Sequence, residues 1–279
     1  MIKKILLLLL LLGPSSIFAA DQMLVDDLFE KSGLKYQTSQ IPAGIVAGMQ
    51  LAQEQEQQLD KNEFSMLIAS ASEAFNAEFI SKVVKQGFIS GMSNKEVNGV
   101  LSWFNSPLGE RITTMEEKAS TPEAIGEMQS YFQSLQSNPP RQSRLDLIKQ
   151  LDIAASATEI SSEIVMNMQL TTISGMMAMA PPDKQGQLAA LKTELYANKN
   201  RMIDSMRKQF LMTALYTYKD ISDKELEKYV AFSASPDGKK YQGVSVGAMK
   251  VAFDACGEKM GLLLGMALDK KSEKVSEVY

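Results

Sequence analysis

Residues 243–247 read Gly-Val-Ser-Val-Gly. This is the G-x-S-x-G spacing of a nucleophile elbow, which would lift Ser245 to the tip of a strand-to-helix turn for acyl transfer. Such a serine needs a histidine to take its proton, and the chain has no histidine. The same absence removes Cys-His nucleophiles, His-ligated zinc and the commonest general base near neutral pH. The residues before Gly243 continue a helix from Pro236. The small residues of the motif are therefore read as places where helices approach closely. Gly257, Gly261 and Gly265 repeat the four-residue spacing. Ser205-Met206-Arg207-Lys208 matches S-x-x-K, but the SDN and KTG companions of that catalytic set are missing. It is expected to be a solvated helical face.

Methionine offers a second chemistry. Met166, Met168, Met176, Met177 and Met179 crowd one segment. Thioethers are soft ligands suited to Cu(I), so the Met166–Met179 stretch could hold copper. Methionine also fills irregular helical cores and adaptable binding surfaces, and that reading is preferred. The acidic pairs Asp26-Asp27 and Glu116-Glu117 are sequence neighbours, which point different ways on a helix. They are read as solubility. Cys256 is the one cysteine; no internal disulfide can form, and a buried, inert thiol is expected. No catalytic, cofactor-binding or metal-ligating residue is assigned on these grounds.

The elements that would position any site are organised around a stretch written twice. Ser93–Arg111 reads SNKEVNGVLSWFNSPLGER, and Ser222–Lys240 reads SDKELEKYVAFSASPDGKK. They align without a gap at an offset of 129. Ser93, Lys95, Glu96, Ser106, Pro107 and Gly109 recur as Ser222, Lys224, Glu225, Ser235, Pro236 and Gly238, while Trp103 meets Phe232 and Arg111 meets Lys240. Ser followed three residues later by Glu is a capping box. Apolar residues then fall at helical spacing until Ser-Pro. Proline ends the helix behind it and suits the first position of the next, with Ser as its N-cap. Ser106-Pro107 and Ser235-Pro236 are predicted to join two helices at an angle. Gly109 and Gly238 are predicted to let another backbone come close.

The pattern Glu-Leu, an aromatic, then Ser-Pro-x-Gly-Lys, as it stands over Glu225–Lys240, resembles the secreted bacterial family catalogued as domain of unknown function 2059. The resemblance extends to Glu96–Arg111 and implies two tandem copies, a helical fold and export. It implies no activity.

The chain opens MIKKILLLLLLLGPSSIFAA. Two lysines, an apolar run and small residues before Asp21 predict a signal peptide over 1–20, cut after Ala19 or Ala20. The run from Ile5 to Leu12 is too short to span a bilayer, so the mature chain is not expected to be membrane-spanning. Without Lys3 and Lys4 the charge is 27 basic against 33 acidic, a net of −6. That balance disfavours nucleic acid.

Helical periodicity runs almost throughout, without period-two alternation. Ser32-Gly33 ends a short first helix, and a longer one passes Ile41, Ile45, Met49 and Ala52 to a polar run at 53–58. Asp60 and Glu63 form another capping box. Phe64, Leu67, Ile68, Ala71, Phe75, Phe79 and Val83 make one apolar stripe. Thr121-Pro122-Glu123 starts a further helix. Ser137-Asn138-Pro139-Pro140 is the best linker. Beyond it, Leu151 and Met166 match Leu34 and Met49 at an offset of 117. The expectation is an all-α chain of two tandem, duplicated helical domains, 21–140 and 141–279, or one bundle fused across them.

These signals favour a periplasmic or secreted, non-catalytic binding protein without a cofactor. Its partner would be a protein or envelope component held in a groove lined by Met and small residues. The alternatives are copper binding through Met166–Met179 and a hydrolase using Ser245.

Overall fold

A computed structural model describes residues 19–276 apart from 57, 58 and 122. Most of the expected signal peptide, Gln57 and Gln58 of the polar run, and Pro122 lie outside these residues. The described residues form thirteen α-helices and no strand. Among them no helix is long and apolar enough to cross a membrane.

The first helices begin where the local chemistry demands. Asp21 accepts a hydrogen bond from the Met23 amide and opens α1, Gln22–Lys31. Gly33, at φ +75°, takes the left-handed turn into α2, Leu34–Glu56, a conformation that favours glycine. Asp60 and Glu63 close a capping box on α3, Lys61–Ala74. The apolar stripe expected to run on to Val83 breaks instead at Phe75, which is extended, and Asn76, whose side chain caps the Phe79 amide at 2.9 Å. The break changes the buried face. In α4, Ala77–Gly91, the core takes Ile80, Val84 and Phe88, while Phe79 is 41% exposed. Asparagine is among the best N-caps, so the chain starts a new helix at Asn76 rather than continuing α3.

The duplicated stretch folds twice in the same way. α5, Asn94–Phe104, and α12, Asp223–Ala234, each begin with the expected Ser-Glu capping box. α6, Pro107–Ala119, and α13, Pro236–Ser276, each begin with the expected proline. Ser106 Oγ accepts from the Gly109 amide at 3.0 Å and donates to the Trp103 carbonyl at 2.6 Å. Ser235 makes the same pair of bonds, with Gly238 at 3.1 Å and Phe232 at 2.6 Å. The backbone that comes close to each glycine is the end of the preceding helix. A Cβ on Gly109 would lie 2.1 Å from the Trp103 carbonyl oxygen, and one on Gly238 would lie 2.1 Å from that of Phe232.

Between the two junctions run α7, Ala124–Ser134, α8, Gln142–Ala155, α9, Ala157–Met179, α10, Pro182–Ala197, and α11, Lys199–Thr217. Ser156, at φ 49°, turns α8 into α9 as Gly33 turns α1 into α2. Both helices that follow are 23 residues long. Leu34 and Ala157 open them, 123 positions apart. The match of Leu34 to Leu151 places the latter inside α8.

Two hydrophobic clusters hold the helices, and neither stops at the linker before Arg141. The first gathers Phe29, Phe75, Ile80, Val84, Phe88 and Val97 from the early helices around Ala248, Ala252, Cys256 and Met260 of α13. The second gathers Leu147, Ile148, Leu151, Leu215, Ile221 and Leu226 around Ile112 of α6. Each Ser-Pro corner therefore carries the chain from one cluster into the other. α13 also lies along α9, where a Cβ on Gly257, Gly261 or Gly265 would meet the α9 backbone at 2.8, 2.1 and 2.9 Å. The close approach expected of those three glycines is present. At Gly243 and Gly247 it is not: a Cβ there meets nothing within 4 Å.

Candidate functional site

The two junctions face each other. Trp103, from α5, stacks on its counterpart Phe232 with ring centres 4.6 Å apart and planes 5° apart. Arg111 pairs with Glu225 at 2.8 Å, and Lys240 with Glu96 at 3.5 Å. In the 129 register these are one contact made twice. This is the reciprocity of an isologous interface, in which each side offers the other the same residues. The Trp103 indole nitrogen is buried there without a hydrogen-bond partner.

Beside this contact lies a cleft of about 240 Å³, lined by Ser32, Phe104, Glu116, Tyr229, Tyr241 and Ser245 among others. The lining comes from the end of α1, the start of α2, the ends of α5 and α8, α6, the start of α9, and α12 and α13, so elements of both clusters contribute to it. Glu116 Oε1 accepts hydrogen bonds from the Tyr218 hydroxyl at 2.6 Å and the Tyr229 hydroxyl at 2.9 Å. Burial raises the Glu116 pKa above the usual carboxylate value, and the two phenol bonds offset part of that rise. Burial, and then the neighbouring Glu116 charge, push Tyr218 and Tyr229 well above the usual phenol value. Tyr241 is raised by burial as well. None of the three phenols is a base near neutral pH.

Ser245 is among the residues that line this cleft, so the residue singled out by G-x-S-x-G does stand beside it. Its motif lies inside α13 and forms no strand-to-helix elbow. Its hydroxyl is buried without a hydrogen-bond partner. Ser205 and Lys208 lie exposed on α11, as a solvated face. Glu116 corrects the reading of Glu116-Glu117 as solubility. The signal that could have found it is three-dimensional, because its two phenol partners stand 102 and 113 residues away.

The methionines of 166–179 lie along the single helix α9. At about 1.5 Å rise per residue, Met166 and Met179 stand about 20 Å apart along the axis. No single ion can be shared by all five. Met168 instead lines a groove together with methionines from other helices. This groove, of about 550 Å³, is lined by Met49 of α2, Phe75, Met168 and Ile173 of α9, Leu191 of α10 and Met260 of α13. Cys256 is free, buried to 1% exposure, and its thiol pKa is raised by burial.

The fold defines an all-α helical bundle with a cleft beside Glu116 and a Met-lined groove. No protein-family model, curated protein or solved structure matches the chain.

Proposed function

We propose that this chain is an exported, non-catalytic binding protein that seats an apolar segment of a protein or envelope partner in the groove of Met49, Met168 and Met260. The groove itself carries the reading. Three unbranched, polarizable thioethers from three helices line it together with one aromatic ring, the composition of an adaptable binding surface. Leu191 in its lining is 48% exposed, so the groove presents apolar surface to solvent. Export, to the periplasm or the medium, rests on the N-terminal sequence pattern. Two tandem copies of one helical unit are supported by the 129 register, the paired 23-residue helices and the reciprocal ion pairs. The resemblance to domain of unknown function 2059 is consistent with that unit and adds no activity.

Capture from a native envelope extract tests the groove. The tagged mature chain should retain a partner that Leu191→Glu and Ile173→Glu variants lose while keeping the parent's melting profile. Equal capture by parent and variants would rule the groove out.

A second reading has one observation in its favour. Met49, Met168 and Met260 converge on the groove, so a soft metal would bind there rather than along Met166–Met179. Anaerobic Cu(I) titration of Met49→Leu and Met260→Leu variants, which change the groove and leave Met166–Met179 intact, separates the two. The hydrolase reading has no such support, since Ser245 has no base bonded to it.

A further inference from the structure

A further cleft, of about 580 Å³, is bounded by the ends of α8 and α12 and the starts of α9 and α13. It shares no residue with the Met-lined groove. Its walls are apolar: Ile153, Ala154 and Ala155 of α8, Ile160 of α9, and Val230 and Ala234 of α12. Ile153 is 77% exposed, so a large apolar side chain borders the hollow in open water. Lys239 is the only charged residue in the lining, and it makes no ion pair with any described residue. Its counterpart in the 129 register is Glu110, which pairs with Lys31 at 3.6 Å. The unpaired cation therefore belongs to the second corner alone. Gly243 lines the cleft from inside α13. Glycine weakens a helix interior, so its presence there asks for a reason. Close packing is not that reason, since a Cβ would meet nothing within 4 Å. What the missing side chain leaves is room. Gly247, one turn further along the same face, is equally open and carries the bare strip of helix away from Lys239.

Apolar walls with a single cation among them suit a ligand made of the same two parts. A metal ion would find no anionic side chain in the lining. A polyanion would meet one positive charge and a surface of hydrocarbon. An apolar chain ending in one carboxylate matches every group. Its tail, laid along Ile153, Val230 and the bare face at Gly243, takes apolar surface out of water. Its head pairs with Lys239, and the amides of Gln150 and Gln242, both in the lining, carry N–H donors for the carboxylate oxygens. The volume lies within the usual range of small-molecule sites, about 300–1,000 Å³. We propose that the cleft at Lys239, Gly243 and Ile153 binds a fatty acid, as a single-chain carboxylate.

Three probes decide the matter: decanoate, decylammonium and acetate, titrated calorimetrically into the mature protein at neutral pH and below their micelle-forming concentrations. Decanoate should bind saturably, and acetate, which lacks the tail, should not. Lys239 is exposed, so its ion pair is worth up to about fivefold in affinity, and decylammonium should bind more weakly than decanoate by about that factor. Lys239→Glu should reverse the order of the two. Gly243→Leu puts a side chain into the cleft and should weaken decanoate by about tenfold or more, with the helical spectrum kept. Ile153→Gln carries that comparison if Gly243→Leu does not fold. Equal binding of decanoate and decylammonium, or an order that Lys239→Glu leaves unmoved, would overturn the assignment of charge. Decanoate binding unchanged by both Gly243→Leu and Ile153→Gln would place the chain elsewhere on the protein, and no saturable binding of decanoate would overturn the site. None of these results bears on the groove, which the capture experiment tests by itself.

Discussion

Replacing Gly109 or Gly238 by alanine tests the corner geometry and the equivalence of the two copies together. At each position the added Cβ would lie 2.1 Å from a carbonyl oxygen, 2.9 Å from its carbon and 3.1 Å from the next Cα. All three atoms are backbone, so no side chain can swing aside. Ordinary contact begins near 3.4 Å, which leaves more than about 1 Å to be recovered by opening the corner. Opening it stretches the bonds that Ser106 or Ser235 makes to the glycine amide and to the preceding carbonyl. Overpacking of this kind costs about 1–3 kcal/mol, and a lost N-cap about 1 kcal/mol. Alanine returns about 1 kcal/mol through helix propensity. The net loss is about 1–3 kcal/mol at each site. Gly247→Ala is the internal control. A Cβ there meets nothing within 4 Å, so only the propensity term remains and the variant should gain up to about 1 kcal/mol. Urea unfolding followed by helical dichroism measures all three. Gly109→Ala or Gly238→Ala melting at or above the parent would refute the corner argument. A large loss at one glycine and none at the other would refute the equivalence.

Two acids should give opposite pH dependences. Glu116 is raised above its ordinary 4.5 by burial; its contribution is full below 4.5 and is lost as pH rises through the folded value. Glu116→Gln should therefore gain on the parent from acid toward neutral pH in urea melts, and a constant difference would contradict this. Glu225 is lowered to about 2, first by the Ser222 amide and hydroxyl and then by Arg111. Its contribution is full above 4.5 and fades as pH falls toward 2, so Glu225→Gln should lose most against the parent at neutral pH and least in acid. Cys256, in the first cluster with a raised thiol pKa, should resist a disulfide-exchange reagent in buffer and react fully in urea; fast labelling of the folded chain would mean that α13 leaves the core. On the proposed export and cleavage, intact mass of the processed chain should show Ala20 as the first residue. Ala20 is 4% exposed within the first cluster and its nitrogen bonds the Ile89 carbonyl at 3.0 Å, so a product starting at Asp21 would have lost a core residue.

Where helices begin was legible in the sequence because the determinants act within three or four residues. Asp60 with Glu63, Ser93 with Glu96 and Ser222 with Glu225 satisfy helical amides locally, and the two Ser-Pro pairs end one helix and start the next without help from elsewhere. The all-α class followed from periodicity for the same reason. Asn76 was legible in principle, yet the apolar stripe through Phe79 outweighed it on paper. Which helices share a core was not legible, because burial is non-directional and any apolar face can meet any other. Only the tertiary structure carried α13 to Phe75 and Phe88, and α6 to Leu147 and Leu226. Only it separated Gly261, pressed on the α9 backbone, from Gly247 in open space. The same holds for Glu116. Its carboxylate is one of 33 acidic side chains in the sequence, and what distinguishes it are two phenols brought from more than a hundred residues away.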